Sequence, residues 1–174
     1  MCQKVKTDIK TDIEILIKSR RSIRKFKNFD IGEEKVLKIL ELGRWAPSGL
    51  NNQPWRFCVL RAKEKDKISK FTSCGNIITE SNVCICVFID SDVCYDGTKD
   101  LLAIGACIQN MLLMAESLNL GTCWLGEILK NKEKVNEVLN IDKRYELVAV
   151  IAVGYKDESP VSEREELDKL ILQR

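Results

Sequence analysis

Residues 100–126 read DLLAIGACIQNMLLMAESLNLGTCWLG. From Asp100 to Leu118 the run has the length of one long helix, and it is apolar almost all the way round. A helix of that kind must be covered on nearly every side. A chain of 174 residues has difficulty enclosing it alone. Burial against the same helix of a second copy resolves the difficulty, with Gly105 and Ala106 allowing close approach. A central helix of a monomer is the other solution. Beyond Asn119 the pattern shortens to a strand, Gly121–Leu125.

Working outward, Val83–Asp90 is a continuous apolar run and predicts a central strand covered on both faces. Trp55–Arg61 predicts a strand, and Lys63–Phe71 a short helix. Gly32–Trp45 predicts a helix with Val36, Leu37, Leu40 and either Leu42 or Gly43 turned inward, and with Glu33 and Glu34 at its positive end. Asp12–Ser19 predicts a helix with Ile13, Leu16 and Ile17 on one face. On the other side, Lys132–Leu139 predicts a helix and Glu146–Tyr155 a strong strand. After Pro160 the tail VSEREELDKLILQR mixes charges and then ends apolar, an end suited to packing on a partner. No repeat, low-complexity segment or linker divides the chain. This alternation indicates an α/β or α+β sheet covered by helices, in one domain over 1–174, with an N-terminal extension (1–11) and a C-terminal tail (156–174).

Composition narrows the functions. Basic residues number 28 and acidic residues 26, a net charge of +2, which argues against a dedicated nucleic-acid binder. There is no histidine, so Ser/His and Cys/His catalytic pairs and His-ligated metal sites are excluded. The eight cysteines (Cys2, Cys58, Cys74, Cys84, Cys86, Cys94, Cys107, Cys123) include no CxxC. Their apolar neighbours point to reduced cysteines used as small hydrophobes. No signal-peptide pattern and no membrane-length apolar run occurs, so no membrane partner is expected and the expected location is cytoplasmic.

Two segments carry candidate chemistry. RRSIRKF at 20–26 would, if extended, set Arg20, Ser22 and Arg24 on one face and Arg21, Ile23 and Lys25 on the other. Two guanidiniums flanking a hydroxyl form a phosphate cradle, because arginine forks match phosphate oxygens bidentately. No GxxxxGK[ST] or GxGxxG is present, so a nucleotide phosphate would be held by side chains rather than by a glycine loop. The second segment, RWAPSGLNNQPWRF at 44–57, is crowded with amides and hydroxyls between two tryptophans. Pro47 and Pro54 stiffen it. Trp45 and Trp55 are expected to anchor it in the core.

In these segments the chain resembles the nitroreductase family of FMN-dependent oxidoreductases. The resemblance rests on four stretches in the family's order: RRSIRKF (20–26), APSGLNNQPWRF (46–57), DLLAIGACIQNMLLMAESLNLGTCWLG (100–126) and AVGYKDESPVSER (152–164). It implies an α+β sandwich, a mostly antiparallel central sheet covered by helices, working as an intertwined homodimer with FMN at the subunit interface. Carried over by position, Arg20 and Ser22 would hold the phosphate, with Arg21 counted among the cofactor-binding residues. Arg24 would reach the pyrimidine edge of the flavin. Pro47, Ser48 and Asn51 would come from the partner subunit. Leu125 and Gly126 would lie along the flavin, and Arg164 would reach the phosphate from the tail. Where the family often has a second basic residue, this chain has Ser162. A polar contact from the region before Val83, through Ser73 or Asn76, is left open by the spacing.

The implied activity is hydride transfer from NAD(P)H through flavin N5 to nitroaromatic, quinone or similar small acceptors, by a ping-pong route. No side chain is assigned as catalytic and no metal is expected, since the cofactor carries the chemistry. The alternative is a flavin-binding redox sensor or flavin store without broad reductase turnover. The short connections before Val83 and over Ser91–Lys99 leave little sequence for a lid, which favours an open, promiscuous site.

Overall fold

A computed structural model describes the backbone of residues 9–174, with side chains from Ile13 onward. Residues 1–8, and with them Cys2 and most of the expected 1–11 extension, lie outside the described residues. The elements are α1 (Ile9–Ser19), β1 (Phe26–Lys27), α2 (Glu33–Gly43), β2 (Trp55–Arg61), α3 (Lys63–Ser69), α4 (Gly75–Glu80), β3 (Val83–Asp90), α5 (Gly97–Ser117), β4 (Leu120–Leu125), α6 (Lys132–Leu139), β5 (Tyr145–Lys156) and α7 (Leu167–Leu170). Single 3-10 turns occupy Gly49–Asn51 and Glu127–Asn131.

The strands form one five-stranded sheet whose ladders are all antiparallel. β5 is its spine. β3 pairs with it from Val83↔Val153 to Asp90↔Tyr145, with a register shift at Val87/Phe88. β4 pairs with it from Leu120↔Tyr155 to Leu125↔Val150. Because β3 and β4 share residues 150–153 of β5, they flank it on opposite sides. β2 extends the sheet beyond β3, and β1 pairs with the last two residues of β5.

The continuous apolar strands follow from cover on both faces. Val83, Ile85, Val87, Ala149, Ile151 and Val153 pack with Val36 and Ile39 of α2 and with Ile104, Cys107, Ile108 and Met111 of α5. The alternate residues Cys84, Cys86, Phe88, Val150 and Ala152 pack with Ile68, Ile77, Ile78 and Val135 from α3, α4 and α6. Cysteines serve here as core hydrophobes: burial pushes the Cys107 thiol up to about 12 and that of Cys84 up to about 11, so both stay uncharged.

Several expectations are corrected. The inward stripe of α2 is Val36, Ile39 and Gly43, while Leu37 and Leu42 are exposed. Gly43 sets that rotation, since a Cβ there would meet Met111 Cγ of α5 at 2.5 Å. The helix α1 forms as expected, and Ile13 and Ile17 on its one face are exposed within the chain. Within the single chain α5 is left open at Leu101 (51% exposed) and Leu102 (70% exposed), which leaves the expectation of a covering second copy as it stood. Trp45 is 71% exposed, its indole N–H donating to Glu41, whereas Trp55 is buried as expected. The short helix α4 was not anticipated, because GNIITE has two β-branched isoleucines and a threonine and little helix propensity. It persists because Ile77 and Ile78 are buried and because the Lys65 ammonium, itself buried, donates to Thr79 O (3.0 Å) and Ser81 O at the helix end. No helix among the described residues is long and apolar enough to cross a membrane.

Candidate functional site

After α1 the chain runs extended past β4. Ser22 forms a parallel bridge with Thr122, and Ile23 N–H donates to Thr122 O at 2.8 Å. Gly121 makes this approach possible, since a Cβ there would lie 2.7–2.9 Å from three atoms of Ile23. The predicted alternation holds only in part: Ile23 enters the core, 2% exposed, and Arg24 stays at the surface, but Lys25, expected on the face of Ile23, is exposed, and Arg21 ends on the same surface as Arg20, Ser22 and Arg24. The tail is drawn back over the same segment. Asp157 N–H donates to Lys25 O, and Arg24 N–H donates to the Glu158 carboxylate.

The result is a surface groove of about 260 Å³ lined by Arg20, Arg21, Ser22, Arg24, Pro160, Val161, Ser162 and Arg164. Five of the ten predicted residues therefore meet in one place, from two segments about 140 positions apart in sequence. Among the described residues, none of these four guanidiniums forms an ion pair with a carboxylate. Arg164 donates instead to Ser162 Oγ (3.0 Å) and Glu163 O (2.7 Å), and Arg21 to Lys18 O (2.6 Å) and Arg20 O (2.8 Å). A bound anion would relieve the repulsion among these unpaired guanidiniums. The groove is the size for a phosphate group rather than for a whole dinucleotide or flavin. Ser162, named from sequence only as a departure from the family pattern, lines it as well.

Leu125 and Gly126 close β4, three to four residues beyond Thr122 and hence roughly 10–13 Å along the strand from the groove. Leu125 is buried and Gly126 exposed, and a Cβ on Gly126 would meet nothing within 4 Å in the chain. Beside them, Glu127 accepts from Thr72 Oγ1 (2.6 Å) and from Ser73 N–H (3.0 Å). Those two hydrogen bonds, Thr72's first, hold the Glu127 carboxyl below its ordinary range. Of the pair left open by spacing, Ser73 is thus the residue tied to this segment.

Pro47, Ser48 and Asn51 lie elsewhere. Their loop leads into β2, where Pro54 O accepts from Asp90 N–H at the far end of β3. Ser48 Oγ accepts from Gln53 N–H (3.0 Å), and Asn51 N–H donates to Ser48 O (3.1 Å). Leu50, Asn51 and Gln53 all have left-handed backbones (φ 53°, 55° and 49°). Counting four strand spacings across the sheet and eight residues along β5, this loop sits roughly 30 Å from Ser22, at the diagonally opposite corner. One chain does not bring the two sets of predicted residues together.

A helix-covered antiparallel sheet with an arginine-lined groove beside β4 makes this an α+β protein. Comparison supplies the family: the nitroreductase family model matches residues 17–83 and 89–155, and the chain belongs to that family. A Methanothermobacter thermautotrophicus protein, provisionally named NADH dehydrogenase/NAD(P)H nitroreductase, is 32% identical over 154 residues, covering 87% of this chain and 81% of its own. A provisionally named nitroreductase from Desulfovibrio desulfuricans, crystallised with FMN, is 41% identical with a TM-score of 0.91, covering 93% of this chain and 96% of that one. A provisionally named NADH oxidase from Clostridium acetobutylicum is 31% identical with a TM-score of 0.81, covering 91% and 99%. The protein is an oxidoreductase of this family.

Proposed function

We propose that the chain is an FMN-dependent oxidoreductase that uses NAD(P)H to reduce nitroaromatic, quinone or similar small acceptors by a ping-pong route. The observation that carries this is the arginine groove: Arg20, Arg21, Ser22, Arg24 and Arg164 gather there, and among the described residues no carboxylate forms an ion pair with the four guanidiniums. In the Desulfovibrio desulfuricans neighbour, the same fold was crystallised with FMN.

Arg20, Arg21, Ser22 and Arg164 would hold the phosphate through charge-assisted hydrogen bonds. Arg24, next along the segment, would face the ring and favour negative charge there. Backbone N–H groups around Leu125 and Gly126 would orient the ring's polar edge. Pro47, Ser48 and Asn51 would be supplied by a second copy, a reading supported by the roughly 30 Å between the two sets of residues in one chain. The domain would then be 1–174 as a homodimer unit, with the exposed tail (Val161, Leu167, Leu170 and Leu172) packed on the partner. When bound, FMN supplies hydride acceptance at N5 and onward electron delivery. With no histidine in the chain, protons for the acceptor come from water.

The test is the visible absorption spectrum of the purified protein before and after anaerobic addition of NADH or NADPH. A flavin spectrum that bleaches establishes the enzyme, and the faster nucleotide identifies the donor. A flavin spectrum unmoved by both replaces it with a flavin-binding sensor or store. A colourless protein that refuses added FMN removes the proposal.

A further inference from the structure

Asp100 lies on the first turn of α5 and is 0% exposed. A buried carboxylate needs several donors. Asp100 has the Asn52 amide (2.7 Å) and the backbone N–H groups of Tyr95 and Asp96 (3.0 Å each). No lysine or arginine among the described residues forms an ion pair with it. We infer that Asp100 is a positioning residue: through Asn52 it fixes the loop that presents Pro47, Ser48 and Asn51 to the cofactor. This rests on the reading above that the loop meets FMN across the dimer.

Two further observations carry the inference. The second N–H of Asn52 donates to Val93 O (3.0 Å), so the amide's orientation is fixed and its Oδ1 is left buried with no donor among the described residues. A buried acceptor without a partner is a cost, and it falls on the residue that joins the loop to α5. Tyr95, whose N–H lies on the same carboxylate, packs against the loop from below: a Cβ on Gly49 would meet Tyr95 Oη at 2.0 Å. The loop needs such a hold. Three of its residues in four positions (Leu50, Asn51, Gln53) are non-glycine residues in the left-handed region, and Leu50 is 88% exposed, contributing no core contact of its own.

The test uses Asn52→Ala and Asn52→Asp in the full chain, with FMN affinity from equilibrium dialysis and amide hydrogen exchange on the flavin-free protein. Asn52→Ala should weaken FMN binding by about tenfold and speed exchange at Asn51, Asn52 and Gln53, whose N–H groups bond within the loop. Asn52→Asp sets two carboxylates together, so it restores a donor only when one proton is shared between them. The groups facing that pair are Asp96, which caps α5, and Lys99 on α5 (mutually paired), Cys94 and Tyr95 on the connection, and Asp90 of β3, paired with Arg56 of β2. Relative to wild type at the same pH, FMN affinity of Asn52→Asp should therefore be near equal at about pH 5 and as weak as Asn52→Ala at about pH 8, the wild-type comparison removing the titration of the FMN phosphate itself. If Asn52→Ala does not fold, this pH pair decides alone. Asn52→Ala binding FMN like wild type, or an affinity of Asn52→Asp relative to wild type that is flat with pH, overturns the clamp and leaves the proposed function standing. A wild-type chain that takes up no FMN overturns both.

Discussion

Ile23 occupies the space that a side chain on Gly121 would need, and the whole arginine segment is hung from that contact. Gly121→Ala should force three atoms of a buried β-branched residue aside, at a cost of about 1–3 kcal/mol, read as a lower urea midpoint. It should also weaken FMN binding, because the Ser22–Thr122 bridge sets where Arg20 and Arg24 point. Arg20→Ala acts on the ligand alone. It removes one charged partner of the phosphate and should weaken FMN binding by roughly 2–4 kcal/mol with little change in the melting curve of the flavin-free protein. Unchanged affinity in calorimetric titration would take Arg20 out of the cradle. At this scale the sequence was legible where the signal was local. The alternation of Arg20, Ser22 and Arg24 about Ile23 needs only an extended backbone. The exposure of Trp45 was not legible, because tryptophan's preference for burial holds for a complete assembly and its indole here rests on Glu41 at the chain's own surface.

Elements were legible in proportion to their length and to how many faces they bury. β3 and β5 announce themselves as unbroken apolar runs, and α5 by its length. β1, with two residues, and α4, with six, are made by tertiary contact: the first by the end of β5, the second by Lys65 and the burial of Ile77 and Ile78. The N-terminal turn of α5 shows a finer effect. Burial pushes the Asp100 carboxyl up, but hydrogen bonds from Asn52, Asp96, Tyr95 and Cys94 together outweigh it and hold the group below its ordinary value of 3.8. A carboxyl lowered on folding stabilises the folded state in full above its unfolded value, and that contribution is lost as pH falls through the folded one. Asp100→Asn should therefore be less stable than wild type at neutral pH. The gap should narrow as pH drops below about 4, as followed by chemical denaturation at a series of pH values. A gap independent of pH would assign the loss to packing rather than to the carboxylate.

The whole molecule carries the largest discrepancy between one chain and a closed site. Leu101 and Leu102 of α5, Leu37 and Leu42 of α2, and Trp45 stand exposed on elements that otherwise bury apolar residues, and the two predicted ligand-contacting segments occupy opposite corners of the sheet. The sequence carried half of this: an all-round apolar helix that one chain of this length does not enclose. Which side of α5 is left open was not readable, because a helix apolar on every side has no preferred face until Gly43 of α2 lets Met111 in close on one of them. A second copy seated on the open side would account for both the exposed leucines and the divided site. Leu102 is 70% exposed and lies outside every predicted ligand contact. A charge there should cost the single chain little and the dimer much, because a carboxylate buried in an apolar interface has no partner. Leu102→Asp should sediment as a monomer near the chain mass of 19.9 kDa, where wild type should sediment at twice that mass. It should also lose FMN although the groove of Arg20, Ser22 and Arg164 is untouched. A Leu102→Asp monomer that keeps wild-type FMN affinity would show that one chain holds the cofactor alone and would return Pro47, Ser48 and Asn51 to a purely structural turn.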